Sequence, residues 1–249
     1  MINQSSKTAL ITGGAKRIGR ALALALVQDG YDIVVHFNES REDAENLQKE
    51  ILKLGRDCQI IKANLLDKNE VEQMVVKMRQ IKNWSLLINN ASIFYQSSFL
   101  ESDIVEMEKN FTIHLKVPAI LSKALAQNCQ ERKLEGNIIN MIDKNITRYE
   151  TKYFNYLLSK KSLAEFTKML ALQLAPQVRV NGIAPGFVLN SIDEENPDAK
   201  TTKLVAKIPL HKKANEQDII AGARYLLSNS FVTGHILFID GGASLNHAG

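Results

Sequence analysis

The sequence has little from which a covalent or metal-based framework could be built. Its two cysteines, Cys58 and Cys129, lie far apart and fit neither a CxxC pair nor zinc-ligand spacing. That excludes a disulfide scaffold and points to a reduced, cytoplasmic protein. Only five prolines occur in 249 residues, with no proline- or glycine-rich linker, internal repeat or low-complexity tract, so a single domain over 1–249 is expected. Long apolar runs are missing too. ALALALV at 21–27 is too short for a membrane span and too late for a signal peptide. Neither sign of charge dominates: 31 basic and 27 acidic residues are scattered along the chain, leaving a net charge of +4. No basic block offers a nucleic-acid surface, so nucleic acid and membrane are both excluded as expected partners.

What the sequence does have is alternation. Short runs rich in Val, Ile and Leu (KTALIT, DIVVHF, CQIIKA, SLLINN, NIINMI, VRVNGI and HILFID) are separated by longer segments of helical period, for example 16–28, 41–54 and 68–81. Apolar strands that alternate with helices form a parallel sheet covered on both faces. Seven strands joined by six crossings predict a doubly wound α/β fold. The stretch 186–200, which follows Pro185-Gly186 and is rich in Asn, Asp and Glu, is expected to be a flap over a substrate.

The first strand runs into Gly13-Gly14-Ala15-Lys16-Arg17-Ile18-Gly19 and then into a helix. Backbone amides at such a turn can face a pyrophosphate, although a tight turn without a ligand is the plain alternative. After DIVV the chain reads His36-Phe37-Asn38-Glu39-Ser40, with no acidic group at the strand's end to receive a ribose 2′-hydroxyl. Arg17, His36, Asn38 and Ser40 offer charge and donors suited to a 2′-phosphate, which favours NADPH over NADH provided Glu39 points away. Arg17 could also be an ordinary surface residue at a helix start.

Asp143, Tyr156 and Lys160 form the candidate catalytic group. Tyr156 and Lys160 are four residues apart and share a helix face, where an ammonium can lower a phenol's pKa. Asp143 ends the apolar run NIINMI, and α/β folds place reactive groups at strand ends. In a chain with six tyrosines the Tyr-x-x-x-Lys pair alone is weak, and its weight comes from the nucleotide-type turn upstream. The plain alternatives are a helix cap for Asp143 and an exposed helix pair for the other two.

Taken in order, Thr12-Gly13-xxx-Arg17-x-Gly19, Asn89-Asn90-Ala91-Ser92, Tyr156-xxx-Lys160, Pro185-Gly186, Thr233-Gly234 and Asp240-Gly241-Gly242 make the chain resemble the short-chain dehydrogenase/reductases over nearly its whole length. The resemblance implies one Rossmann-like domain. It also implies a nicotinamide cofactor contacted by Gly13, Ile18, Gly19, Asn64, Leu65, Asn90, Ala91, Ser92, Met141, Tyr156, Lys160, Pro185 and Gly186. Where most members carry Gly and Ser, this chain has Arg17 and Asp143, as in the pteridine and dihydromonapterin reductases. That closer resemblance assigns the substrate to Arg17, Ser92, Phe94, Asp143 and Tyr156, with Phe94 stacking on a pterin and Ser92 hydrogen-bonding it. His114 stands where many members have an Asn that helps hold the catalytic Lys through water, so either a pH-dependent role or simple packing is open for it. Asn64 replaces an Asp that commonly meets the adenine.

The chemistry of the Asp143 replacement is coherent, because reducing a ring C=N bond requires a proton on nitrogen, which a carboxyl can hold or relay. The leading expectation is therefore an NADPH-dependent reductase that takes a dihydropterin, dihydromonapterin or dihydrofolate to the tetrahydro form. The alternatives are a carbonyl reductase of 3-oxoacyl thioesters or sugars, and a non-catalytic NADPH-binding sensor or scaffold. The family resemblance further implies a homotetramer, or a dimer, built on helices near 110–129 and 151–174.

Overall fold

Residues 6–188 and 199–246 are described in the computed structural model of the chain. The strands are β1 (Thr8–Ile11), β2 (Asp32–Phe37), β3 (Cys58–Lys62), β4 (Trp84–Asn89), β5 (Gly136–Met141), β6 (Val178–Pro185) and β7 (Ile236–Ile239). They form one seven-stranded sheet in the order β3-β2-β1-β4-β5-β6-β7, every neighbouring pair parallel. The helices are α1 (Arg17–Gln28), α2 (Arg41–Lys53), α3 (Lys68–Gln80), α4 (Ile104–Phe111), α5 (Val117–Arg132), α6 (Phe154–Leu174), α7 (Ala199–Ala206) and α8 (Glu216–Ser228). Each expected strand is present, and so is the doubly wound topology. The expected flap at 186–200 falls for the most part outside the described residues.

Sheet register explains why the strands read as unbroken apolar runs. Val34, Leu10, Leu87, Ile138 and Val180 are paired across five strands and bury one face against α3, α5 and α6. One position along, Val35, Ile11, Ile88 and Ile139 form the opposite row, packed beneath α1, α2 and α8. Strands alternate side chains between faces, so a sheet buried on both sides needs an apolar residue at every position. Each such side chain contributes about 1.5–3 kcal/mol by leaving water.

Strand order reverses at β1. From there β2 and β3 continue to one side and β4 onward to the other, so the loops leaving β1 and β4 part and open a crevice at the strands' carboxyl ends. The glycine turn, the end of β4 and the end of β5 meet there.

Candidate active site

The glycine turn is tied down before any ligand is considered. The Thr12 hydroxyl accepts the backbone N–H groups of Asn90 (2.9 Å) and Ala91 (3.0 Å), while the Asn90 side chain donates to the carbonyls of Thr12 (2.9 Å) and Gly13 (3.0 Å). Four hydrogen bonds therefore join the turn to the end of β4. A Cβ on Gly19 would collide with the Gly13 carbonyl oxygen and come within 2.8 Å of the Asn90 amide, so only glycine allows α1 to start this close to β1. Arg17 has φ of 50°, a left-handed backbone in which a side chain is disfavoured. Holding that conformation costs an arginine roughly 1–2 kcal/mol relative to glycine.

Against this turn lies a groove of about 540 Å³, lined among others by Arg17, Ile18, Asn38, Leu65, Ala91 and Ser92. Gly13, Gly19, Asn64 and Asn90 border it as well. His36 borders it in a different capacity from the one expected. Its Nδ1 accepts the Gly13 N–H at 3.0 Å, and Nε2 therefore donates to the Ala63 carbonyl at 3.0 Å. Burial lowers its pKa, so the ring is neutral with both nitrogens engaged. His36 braces the glycine turn and has neither charge nor donor to give a phosphate, which corrects the sequence expectation. Asn38 is exposed at the groove, and Ser40 precedes the N-terminus of α2 without capping it. Asn64 uses its side-chain oxygen to accept the Leu66 N–H at 3.0 Å, which leaves one lone pair.

At the end of β5 the expected trio comes together. Asp143 accepts the Asn145 N–H on Oδ1 at 2.7 Å and the Tyr156 hydroxyl on Oδ2 at 2.8 Å, so it both caps the short helical turn Lys144–Thr147 and engages the phenol. Burial, and next the Asp143 charge, push the Tyr156 pKa up, and the phenol keeps its proton. Lys160 is 3% exposed and donates to the Met141 carbonyl at 2.7 Å. Burial brings its pKa down to about 8 against the opposing pull of Asp143. Its ammonium lies 5.8 Å from the Tyr156 ring centre and makes no bond to the hydroxyl. Burial and Asp143 hold the phenol's pKa above its ordinary value, which corrects the lowering expected from Lys160.

His114 enters the site from an irregular helix. Between α4 and α5, Thr112–Lys116 widens to a π-helical turn in which the Val117 N–H bonds back to the Thr112 carbonyl. Pro118 accounts for the widening, since it has no N–H for the His114 carbonyl and its ring crowds that carbonyl. His114 is 1% exposed, and burial, with Lys160 second, brings its pKa down to about 2. It is neutral at any physiological pH, so a pH-dependent role in that range is corrected. Its Nδ1 lies 2.8 Å from the Ser159 hydroxyl and its Nε2 2.9 Å from that of Ser92.

Phe94 is 60% exposed, stacked on Tyr153 at 4.6 Å and edge-on to Tyr156 at 4.7 Å. It lies beside Tyr156 and outside the core. Pro185 ends β6 and Gly186 follows it, donating to the Ile239 carbonyl at 2.8 Å in a place where a Cβ would approach the Asp240 Cα to 2.6 Å. Sequence reasoning missed Tyr153, Ser159 and Asn140. The last of these joins Asn89 (2.8 Å) to Thr167 (2.8 Å) beneath the site. An amide in the middle of an apolar strand was the only signal for it.

A family model described as enoyl-(acyl carrier protein) reductase matches residues 13–244. The 3-oxoacyl-[acyl-carrier-protein] reductase FabG of Staphylococcus aureus is 30% identical over 242 residues, which cover 95% of this chain and 98% of that protein. L-xylulose reductase of Mus musculus is 30% identical over 243 residues, 96% of each. Among solved structures, FolM alternative dihydrofolate reductase 1 from Brucella canis, complexed with NADP, superposes with a TM-score of 0.88 at 30% identity, over 98% of this chain and 96% of that one. With the parallel sheet, the crevice at β1 and a match along almost the entire length, the chain belongs to the short-chain dehydrogenase/reductase family of oxidoreductases.

Proposed function

We propose that the chain is an NADPH-dependent reductase of pterins, taking a dihydropterin, dihydromonapterin or dihydrofolate to the tetrahydro form. The observation that carries this is the 2.8 Å hydrogen bond from Tyr156 to Asp143 at the end of β5. A protonated phenol coupled to a carboxyl gives up one proton as a pair, which suits delivery to a ring nitrogen. Likeness to the Brucella canis dihydrofolate reductase over nearly the full chain supports the same reading.

The groove fits the cofactor. Among the described residues no acidic side chain lines it, Arg17 brings positive charge to it, and Glu39, between Asn38 and Ser40, is exposed outside the lining. NADPH, when bound, supplies the hydride. Tyr156 and Asp143 deliver the proton, Lys160 holds the end of β5 through Met141, and Phe94 with Ser92 positions a flat substrate over Tyr156. Arg17 joins the cofactor side of the groove to the substrate side. A homotetramer, or a dimer, in the cytoplasm completes the proposal.

A second reading, reduction of a 3-oxoacyl thioester or sugar ketone, is favoured by equal identity to FabG and L-xylulose reductase. Loss of NADPH absorbance with purified protein separates the two when dihydromonapterin, dihydrobiopterin, dihydrofolate and a 3-oxoacyl thioester are offered in parallel. Pterin-dependent consumption is expected. Its absence across all three pterins, with consumption on the thioester, would establish the second reading instead.

A further inference from the structure

Proton bookkeeping around His114 fixes what Ser92 can offer a ligand. The Ser159 hydroxyl has one proton and donates it to the Tyr156 carbonyl at 2.7 Å. The 2.8 Å contact between Ser159 and His114 Nδ1 therefore carries a proton on Nδ1. Nε2 is then bare. The Ile93 N–H, 3.4 Å from Nε2, independently needs an acceptor there and agrees. Ser92 lies 2.9 Å from Nε2, nearer than its other acceptor, the Ile93 carbonyl at 3.4 Å, so its single proton goes to His114.

What remains on Ser92 is lone pairs. The residue is exposed, lines the groove beside Arg17 and Ala91, and lies two residues before Phe94, which packs on Tyr156. We infer that His114, as a positioning residue, makes Ser92 an obligate hydrogen-bond acceptor that selects substrates presenting an N–H donor at this edge of the site. The inference rests on the pterin reading and deepens it: the pyrimidine edge of a pterin carries an amide N–H and an amino group side by side. A ketone oxygen is an acceptor and gains nothing from Ser92. Arrangements that must satisfy a specific donor discriminate more strongly than apolar contacts do, because the wrong ligand leaves a polar group unpaired.

The test is calorimetric binding of 7,8-dihydropterin and of its 2-desamino-3-methyl analogue, which lacks both donors, to protein saturated with NADP+. Wild type is expected to prefer dihydropterin about tenfold, and Ser92→Ala to narrow that preference to about twofold. His114→Asn should narrow it equally, since its amide can replace Nδ1 toward Ser159 but leaves nothing at Nε2. His114→Gln, which can place an amide oxygen near Nε2, should restore it. Nitrogen-15 shifts of His114 should show the proton on Nδ1. A proton on Nε2, an unchanged preference in Ser92→Ala and His114→Asn, or a loss confined to NADPH affinity overturns the inference while leaving pterin reduction standing. If neither heterocycle binds, this inference and the pterin reading fall together.

Discussion

The Tyr156 hydroxyl donates to Oδ2 of Asp143 at 2.8 Å, and the carboxylate's other oxygen is held by the Asn145 N–H at 2.7 Å. The phenol therefore faces a fixed acceptor, and its pKa is raised both by burial and by that acceptor's charge. Removing the hydroxyl removes the proton donor without emptying the space. Tyr156→Phe should lower kcat for a dihydropterin by about 10²–10⁴-fold with little change in KM, the pattern of an interaction made in the transition state. Steady-state kinetics on the two proteins checks this, and equal kcat values would remove Tyr156 from the chemistry.

Gly19 is the point at which the groove tolerates least. An added Cβ meets the Gly13 carbonyl, backbone that cannot swing aside, and the Asn90 amide at 2.8 Å. Gly19→Ala should weaken NADPH binding at least about tenfold, because the turn must shift to accept it. Fluorescence titration with NADPH measures the change, and unaltered affinity would show that the turn is not the cofactor site.

Arg17 combines a cost to the fold with a proposed role in binding. Its φ of 50° is unfavourable for any side chain. Arg17→Gly should leave Tm unchanged or raise it by about 2–4 °C for each kcal/mol of relief, while NADPH affinity and pterin turnover both fall. Thermal melts and kinetics on one preparation test the opposition; a fall in Tm would contradict the assignment of strain.

His114 should shape acid stability. Its ring titrates near 2 in the fold and at 6.5 in its ordinary state, so between those values the unfolded chain binds a proton that the fold refuses. The contribution is complete above pH 6.5 and is lost as pH falls toward 2. Between pH 7 and about pH 4.5, wild type should lose more stability in urea than His114→Gln does. Equal losses would show that His114 takes up its proton within the fold.

Much of this molecule was legible in the sequence because the physics involved is local. The two apolar rows that run through Leu10 and Ile11 require unbroken Val, Ile and Leu, and those runs mark the strands. Asp143 was legible as the polar residue ending such a run. His36 was not: its partners, the Gly13 N–H and the Ala63 carbonyl, come from separate strand ends, and only the folded sheet brings them to one ring. His114 falls on the buried side at ordinary helical spacing from Asn110, Val117 and Leu121, but its partners Ser92 and Ser159 come from the end of β4 and from α6, which no local period reveals. The weakness of Lys160 as a tuner of Tyr156 depends on how deeply both are buried, which spacing does not reveal.

Whether the Asp143–Tyr156 pair protonates a pterin nitrogen is tested most directly by kcat for wild type and Asp143→Ser on a dihydropterin and on a 3-oxoacyl thioester. The pair's proposed role predicts that Asp143→Ser loses dihydropterin turnover by about 100-fold or more while carbonyl reduction holds or rises. Undiminished dihydropterin turnover in Asp143→Ser, or a wild type that reduces the thioester better than the pterin, would contradict it.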